Sequence, residues 1–154
     1  MGRDLQTAKH RVPRGLTELR PAPGTPTPSE VWSALERIGK SQVMRRAQKL
    51  VQLLNFLVET TLEGNAHYLK ETTIGVSAFG RPPDYDPKTD TIVRSQAWRL
   101  RAKLRDYYAT EGAHDSVIID IPIGQYSAVF SLGPRPVENY PAIPTERRFH
   151  SSRR

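Results

Sequence analysis

The apolar residues of this chain recur at helical spacing in several separate stretches. The clearest runs from about Met44 to Glu63, where Leu50, Leu53, Leu54, Leu57, Val58 and Leu62 return at three- and four-residue steps with Phe56 beside them. At about 25 cal/mol per Å² of buried apolar surface, each well-packed leucine contributes roughly 1.5–3 kcal/mol, so this helix anchors the predicted core. Ser41 stands where it would cap the helix, and Gly64 where it would end it. Arg45, Arg46 and Lys49 at its start read as a solvated face. Ahead of it, Val31, Trp32, Leu35 and Ile38 share one side of a shorter helix, with Ser29 as its N-cap and Trp32 expected to pack on the main body.

Beyond Gly64-Asn65 the pattern is shorter. Tyr68-Leu69-Lys70 suffices for a minimal strand. Thr72 or Thr73 would cap a brief helix packed through Ile74, Val76 and Phe79 and ended by Gly80. The prolines and aspartates of RPPDYDPKTD then forbid regular structure, and Asp90 or Thr89 would cap the next helix. That helix, predicted over 90–111, has two faces at about 100° per residue. Val93, Ala97, Leu100, Leu104 and Tyr107 fall on one side with Tyr108 at its edge. Thr91, Arg94, Ser95, Trp98, Arg101, Ala102 and Arg105 fall on the other, with Gln96, Arg99 and Lys103 on the flank. VIIDIPIGQYSAVF follows, two apolar runs about Pro122, Gly124 and Gln125, and predicts a β-hairpin over 117–130.

Helix, short helix, loop, long basic helix and hairpin occur in the order of a winged helix-turn-helix. The predicted class is therefore α+β, a winged helix-turn-helix with an extra N-terminal helix and a C-terminal β-hairpin wing. The domain is expected over 30–131, between two flexible basic, proline-rich tails, 1–29 and 132–154. The first tail carries Arg3, Lys9, His10, Arg11, Arg14 and Arg20, and reads either as solvated or as an arm that follows phosphates or enters a minor groove. The second offers Arg147, Arg148, Arg153 and Arg154 as further phosphate contacts.

Charge sharpens this picture. The 154 residues carry a formal charge of +7, and the pI is about 10.0. Such an excess favours polyanionic partners. Cysteine is absent, which excludes disulfides, thiolate nucleophiles and cysteine-based zinc sites. No apolar run approaches the ~20 residues of a membrane span, and the first residues lack the apolar core of a secretion signal. A cytoplasmic, nucleoid-associated protein with no membrane partner is expected. Asp84, Asp86 and Asp90 superficially suggest a calcium loop, but Thr89 and Ser95 stand where such a loop needs a glycine and an acid. The four histidines are scattered, and no phosphate loop or nucleophile elbow is present. Neither catalysis, metal nor cofactor is expected.

Several short motifs then converge. Leu69-Lys70-Glu71, Ile74-Gly75, Phe79-Gly80-Arg81, Asp86-Pro87 with Asp90, Ile92-Val93-Arg94, Arg99-Leu100-Arg101, Tyr107-Tyr108 and Pro122-Ile123-Gly124-Gln125-Tyr126 together resemble a bacterial winged-helix domain found ahead of tetratricopeptide or cyclase-like regions. The likeness covers roughly Val31 to Phe130, and more distantly the chain is similar to OmpR-type effector domains. The effector modules usual downstream are missing, which would make this a free-standing DNA-binding unit or a subunit of something else.

The expected function is sequence-dependent binding of double-stranded DNA as a bacterial transcription regulator, with helix 90–111 in the major groove. The candidate DNA-binding residues are Thr91, Arg94, Ser95, Trp98, Arg99, Arg101, Arg105 and, at the wing tip, Gln125. Guanidinium groups on the outward face cannot be buried in a core without several kcal/mol of desolvation each, so they are solvated or bound to an anion. Arg99 has an alternative, pairing with Asp106 or Glu111 to hold the hairpin. Trp98 either packs on the wing, the short helix or a partner, or meets thymine methyls and sugar edges. Tyr126 is expected to pack with its hydroxyl outward. By the resemblance, the 81–90 loop corresponds to a connection that can touch RNA polymerase, which makes Arg81, Asp84, Tyr85 and Lys88 candidate contacts with polymerase or another regulator, unless they are only solvated turn residues. A homodimer on DNA is open. Two other functions compete: a protein–protein adaptor built on the winged fold, and an architectural DNA-binding factor in recombination or plasmid maintenance.

Overall fold

A computed structural model describes residues 24–133; the tails expected over 1–29 and 132–154 lie mostly outside them. The described residues form an α+β fold of four α-helices followed by a two-stranded antiparallel hairpin.

Helix α1 (Pro28–Lys40) opens on a capping box two residues before the expected cap at Ser29. Thr27 Oγ1 accepts the amide of Glu30 at 3.3 Å, and the Thr27 amide donates to Glu30 Oε2 at 2.7 Å. Pro28 at the first helical position has no amide to leave unpaired. Val31, Ala34, Leu35 and Ile38 form the buried face, whereas Trp32 remains 45% exposed rather than packed. Ser41 ends this helix and does not begin the next. Its buried hydroxyl donates to the Ile38 carbonyl at 2.6 Å and accepts the Met44 amide at 3.3 Å.

The chain turns through 42–47 before α2 (Gln48–Leu62), so α2 starts four residues later than its apolar pattern suggests. The turn is held from a distance in sequence: the Glu111 carboxylate accepts the amides of Gln42 and Val43, each at 3.1 Å, donors that a helix beginning here would leave unpaired. Helix α2 buries the leucine face as read, with Leu53, Leu54, Leu57 and Val58 nearly inaccessible. Gly64 turns the chain at φ 78°, a left-handed conformation that costs glycine little. The strand expected at Tyr68-Leu69-Lys70 is replaced by a 3-10 turn, Ala66–Tyr68. With no third strand among the described residues to pair with, this segment closes its own hydrogen bonds, from the Tyr68 amide to Asn65 and from the Leu69 amide to Ala66.

Helix α3 (Glu71–Phe79) starts without a side-chain cap, so Thr72 and Thr73 do not play that role. Gly80, at φ 62°, closes it. Helix α4 (Ile92–Ala109) buries Val93, Ala97, Leu100, Leu104 and Tyr107, the face read from the sequence. Thr91 is its N-cap residue, while Asp90 Oδ1 accepts the Ile92 amide at 3.1 Å. Strands β1 (Val117–Asp120) and β2 (Val129–Leu132) pair in a register that sets Ile119 opposite Phe130, two residues longer than the predicted hairpin.

One core joins these elements. Helix α1 packs on β1, and α2 on both α3 and α4. Thr61 Oγ1 accepts the Ala128 amide at 3.0 Å and ties the end of the hairpin loop to α2. The Ile119 amide donates to the Tyr108 hydroxyl at 2.7 Å, and the Tyr107 hydroxyl donates to Asp115 at 2.6 Å. The hairpin is thereby held against the C-terminal half of α4, and its tip stands beside the middle of that helix.

Candidate nucleic-acid interface

The outward face of α4 lies between two grooves, and Trp98 lines both. It is 67% exposed, so the question left open by the sequence is answered as to packing: the ring is not buried in this chain. On one side lie α3 and the hairpin tip; on the other lies the first turn of α2.

On the hairpin side the cations are largely occupied. Arg101 was expected to face a ligand, but its guanidinium is a clamp on the hairpin loop. Nε donates to the Ile121 carbonyl at 2.8 Å, and Nη2 to the carbonyls of Pro122 at 3.2 Å and Gln125 at 2.9 Å. The group also lies 6.0 Å from the centre of the Tyr126 ring. In the loop from 121 to 128 the Pro122 carbonyl also accepts the Gln125 amide at 3.3 Å, whereas those of Ile121 and Gln125 depend on the clamp, and Gly124 turns the chain at φ 89°. Arg94 donates from Nη2 to the Pro87 carbonyl at 2.9 Å and lies 3.5 Å from Glu71, yet stays half exposed. The Tyr126 hydroxyl is not outward; it donates to Glu71 at 2.9 Å. Burial first, then that bond to a carboxylate, pushes the Tyr126 phenol up to about 12.

The other predicted contacts divide by what they already hold. Thr91 and Ser95 are exposed near the start of α4, and the Ser95 hydroxyl donates to the Ile92 carbonyl at 3.1 Å, leaving it free to accept. Gln125 is exposed at the hairpin tip beside Ile123, which is 86% exposed. Arg99 and Arg105 are exposed and have no hydrogen-bond or ion-pair partner among the described residues. The expected pairing of Arg99 with Glu111 does not form, because Glu111 holds the 42–43 amides instead.

The 81–90 loop also splits. Arg81 Nε sits 2.8 Å from Asp90 Oδ2, an ion pair though not aligned as a hydrogen bond. The Tyr85 hydroxyl donates to the Asp90 carbonyl at 2.7 Å, and its ring lies against Gly75, so Tyr85 is a packing residue and not a free contact. Its burial raises the phenol pKa above the usual value. Asp84 and Lys88 remain exposed.

The second groove was not legible as a unit. Arg46 in the turn before α2 and Lys49 in its first turn line one wall, and Arg99 and Lys103 of α4 the other. The basic residues before α2 were visible as a solvated run, but nothing local places them across from a helix some fifty residues away. Among the described residues, no three metal-ligating side chains come together, and no helix is long and apolar enough to cross a membrane. Comparison with family models, curated proteins and solved structures finds no match.

Proposed function

We propose that the chain is a winged helix-turn-helix regulator of bacterial transcription that binds double-stranded DNA in a sequence-dependent way. Helices α3 and α4 are the helix pair, α4 enters the major groove, and the hairpin is the wing. One observation supports this most: α4 presents Trp98 outward beside the partner-free Arg99, with a hairpin clamped by Arg101 next to it. Exposed guanidinium groups recruit phosphates or guanine edges, and an exposed indole matches thymine methyls and sugars.

Arg99 and Arg105 are the arginines assigned to DNA. Arg94 joins them by exchanging its bond to Pro87 for a phosphate, and Arg101 positions the wing that carries Gln125. Thr91 and Ser95 accept hydrogen bonds from base edges or bridge to phosphates through water. Asp84 and Lys88 are the loop residues left for a contact with polymerase or another regulator. No cofactor enters this reading, and it places the protein on the nucleoid.

Selection of bound sequences from random duplex DNA, followed by footprinting, tests the proposal. Enrichment of one motif is expected, with affinity falling steeply as salt rises from 50 to 200 mM. A motif repeated at a helical-turn spacing would indicate a dimer. Duplex binding without enrichment would transfer the protein to the architectural class. Absence of salt-dependent duplex binding would overturn the reading in favour of an adaptor, for which the exposed Trp98 is the observation that speaks.

A further inference from the structure

We infer that the groove between the start of α2 and the middle of α4 carries one phosphodiester strand of the duplex, with Arg46 in the turn before α2 and Lys49 in its first turn as contacts. The inference rests on the duplex-binding reading above and extends the contact surface to a second element.

The groove has a volume of about 690 Å³. Cations stand on both of its walls, Arg46 and Lys49 facing Arg99 and Lys103, while Asp106 is the one carboxylate in the lining. Arg99 and Lys103 are four residues apart on one helix, about 6 Å along its axis, so they stack on the same side of α4. None of these cations has a hydrogen-bond or ion-pair partner among the described residues. Like charges held around one cleft repel each other, and a polyanion running between the walls relieves that repulsion while releasing its own counterions.

Position distinguishes a DNA strand from an acidic peptide as the occupant. Trp98 forms the ridge shared with the hairpin-side groove, so the partner-free cations adjoin the face proposed to read bases. Arg105, further along α4, lies outside this groove and beside the hairpin strands. On the hairpin side, by contrast, Arg94 and Arg101 already spend donors within the fold. The strand that flanks a major groove occupied by α4 therefore finds the cluster of four unpaired cations on the α2 side. Leu50 and Ala47, with the Trp98 ring, offer apolar surface to the sugars of that strand.

The two tryptophans make a direct test possible. In the full chain, Trp32→Phe leaves Trp98 as the only indole. Titration of this variant with random-sequence duplex at several salt concentrations is expected to quench Trp98. Adding Arg46→Ala and Lys49→Ala should reduce the slope of log K against log salt by about 1.8, at about 0.9 per lost phosphate contact, and weaken binding at least tenfold. Both side chains are exposed, so circular dichroism should be unchanged; Arg46→Lys with Lys49→Arg should restore the slope. Intact duplex binding with an unchanged slope would overturn the groove assignment alone. Quenching by polyglutamate but not by duplex would give the groove to an acidic peptide. Failure of the parent to bind duplex at all would overturn the functional reading, and this inference with it.

Discussion

Replacing Arg101 by alanine should unfold the protein at lower temperature before it does anything specific to DNA. The guanidinium bridges α4 to three carbonyls of the hairpin loop, at 2.8, 3.2 and 2.9 Å. Hydrogen bonds from a charged donor contribute about 1.5–3 kcal/mol each in favourable settings. Here the discount is substantial. The bond to Gln125 is exposed, and water replaces it once the side chain is gone. The bonds to Ile121 and Pro122 are partly buried and leave carbonyls that water reaches poorly. Roughly one to two effective bonds are lost, about 2–3 kcal/mol in all. At about 4–8 °C per kcal/mol for a small domain, the Tm should fall by about 10–20 °C in a melt followed by circular dichroism. Arg105→Ala removes a cation from the same helix without a partner and should stay within about 0.5 kcal/mol of the parent. Arg101→Lys keeps the charge, but a single ammonium cannot match three carbonyls with a planar fork, so it should recover less than half of the loss. If Arg101→Ala melts within about 3 °C of the parent, or if lysine restores it fully, the clamp is wrong and Arg101 belongs with the solvated cations.

Two further outcomes follow from particular contacts. Gly75→Ala would set a Cβ 2.7 Å from Tyr85 Cδ1, displacing the ring and its bond to the Asp90 carbonyl. It should cost about 1–3 kcal/mol despite the better helix propensity of alanine, and a higher Tm would refute the packing argument. The second concerns alkali. Burial raises the phenols of Tyr108 and Tyr126 to about 12, against about 10 in an unfolded chain. Because the folded pKa is the higher one, their contribution is complete below pH 10 and is lost as pH rises through about 12. Phenolate absorbance and circular dichroism should therefore change together in that window. Full ionisation of all tyrosines near pH 10 in a still-folded protein would contradict it.

Much of the fold could be read from local pattern. The buried face of α4 matches residue by residue, and that of α2 does except for the partly buried Leu62 at its end, since burial of one stripe follows directly from helical spacing. The ends of the helices were harder. Thr27 and Glu30 form the capping box within a proline-rich approach that looked like tail, and the start of α2 depends on Glu111, which arrives from the far end of α4. Tyr68-Leu69-Lys70 had the composition of a strand but met no strand edge to pair with. At the candidate interface, Trp98 and Arg105 were legible as outward residues of α4 and Arg99 as a residue of its flank, and all three are exposed. Tyr85 was not legible as a packing residue, because the ring's partner is the missing side chain of Gly75.

The sequence by itself determined which side of each helix avoids water, where glycine lets the chain turn, and that the surface would be basic. These properties depend on each residue and its near neighbours. Tertiary structure alone decided which of the basic groups are free. Arg99 and Arg101 sit two residues apart on the same helix with the same chemistry. Arg101 reaches three carbonyls of a loop some twenty residues downstream, and its donors are spent there. Arg99 faces Arg46 and Lys49 across a groove where it forms no hydrogen bond or ion pair with a described residue, and its charge remains available. A guanidinium takes its role from the acceptors within reach, and those are set by how distant segments pack.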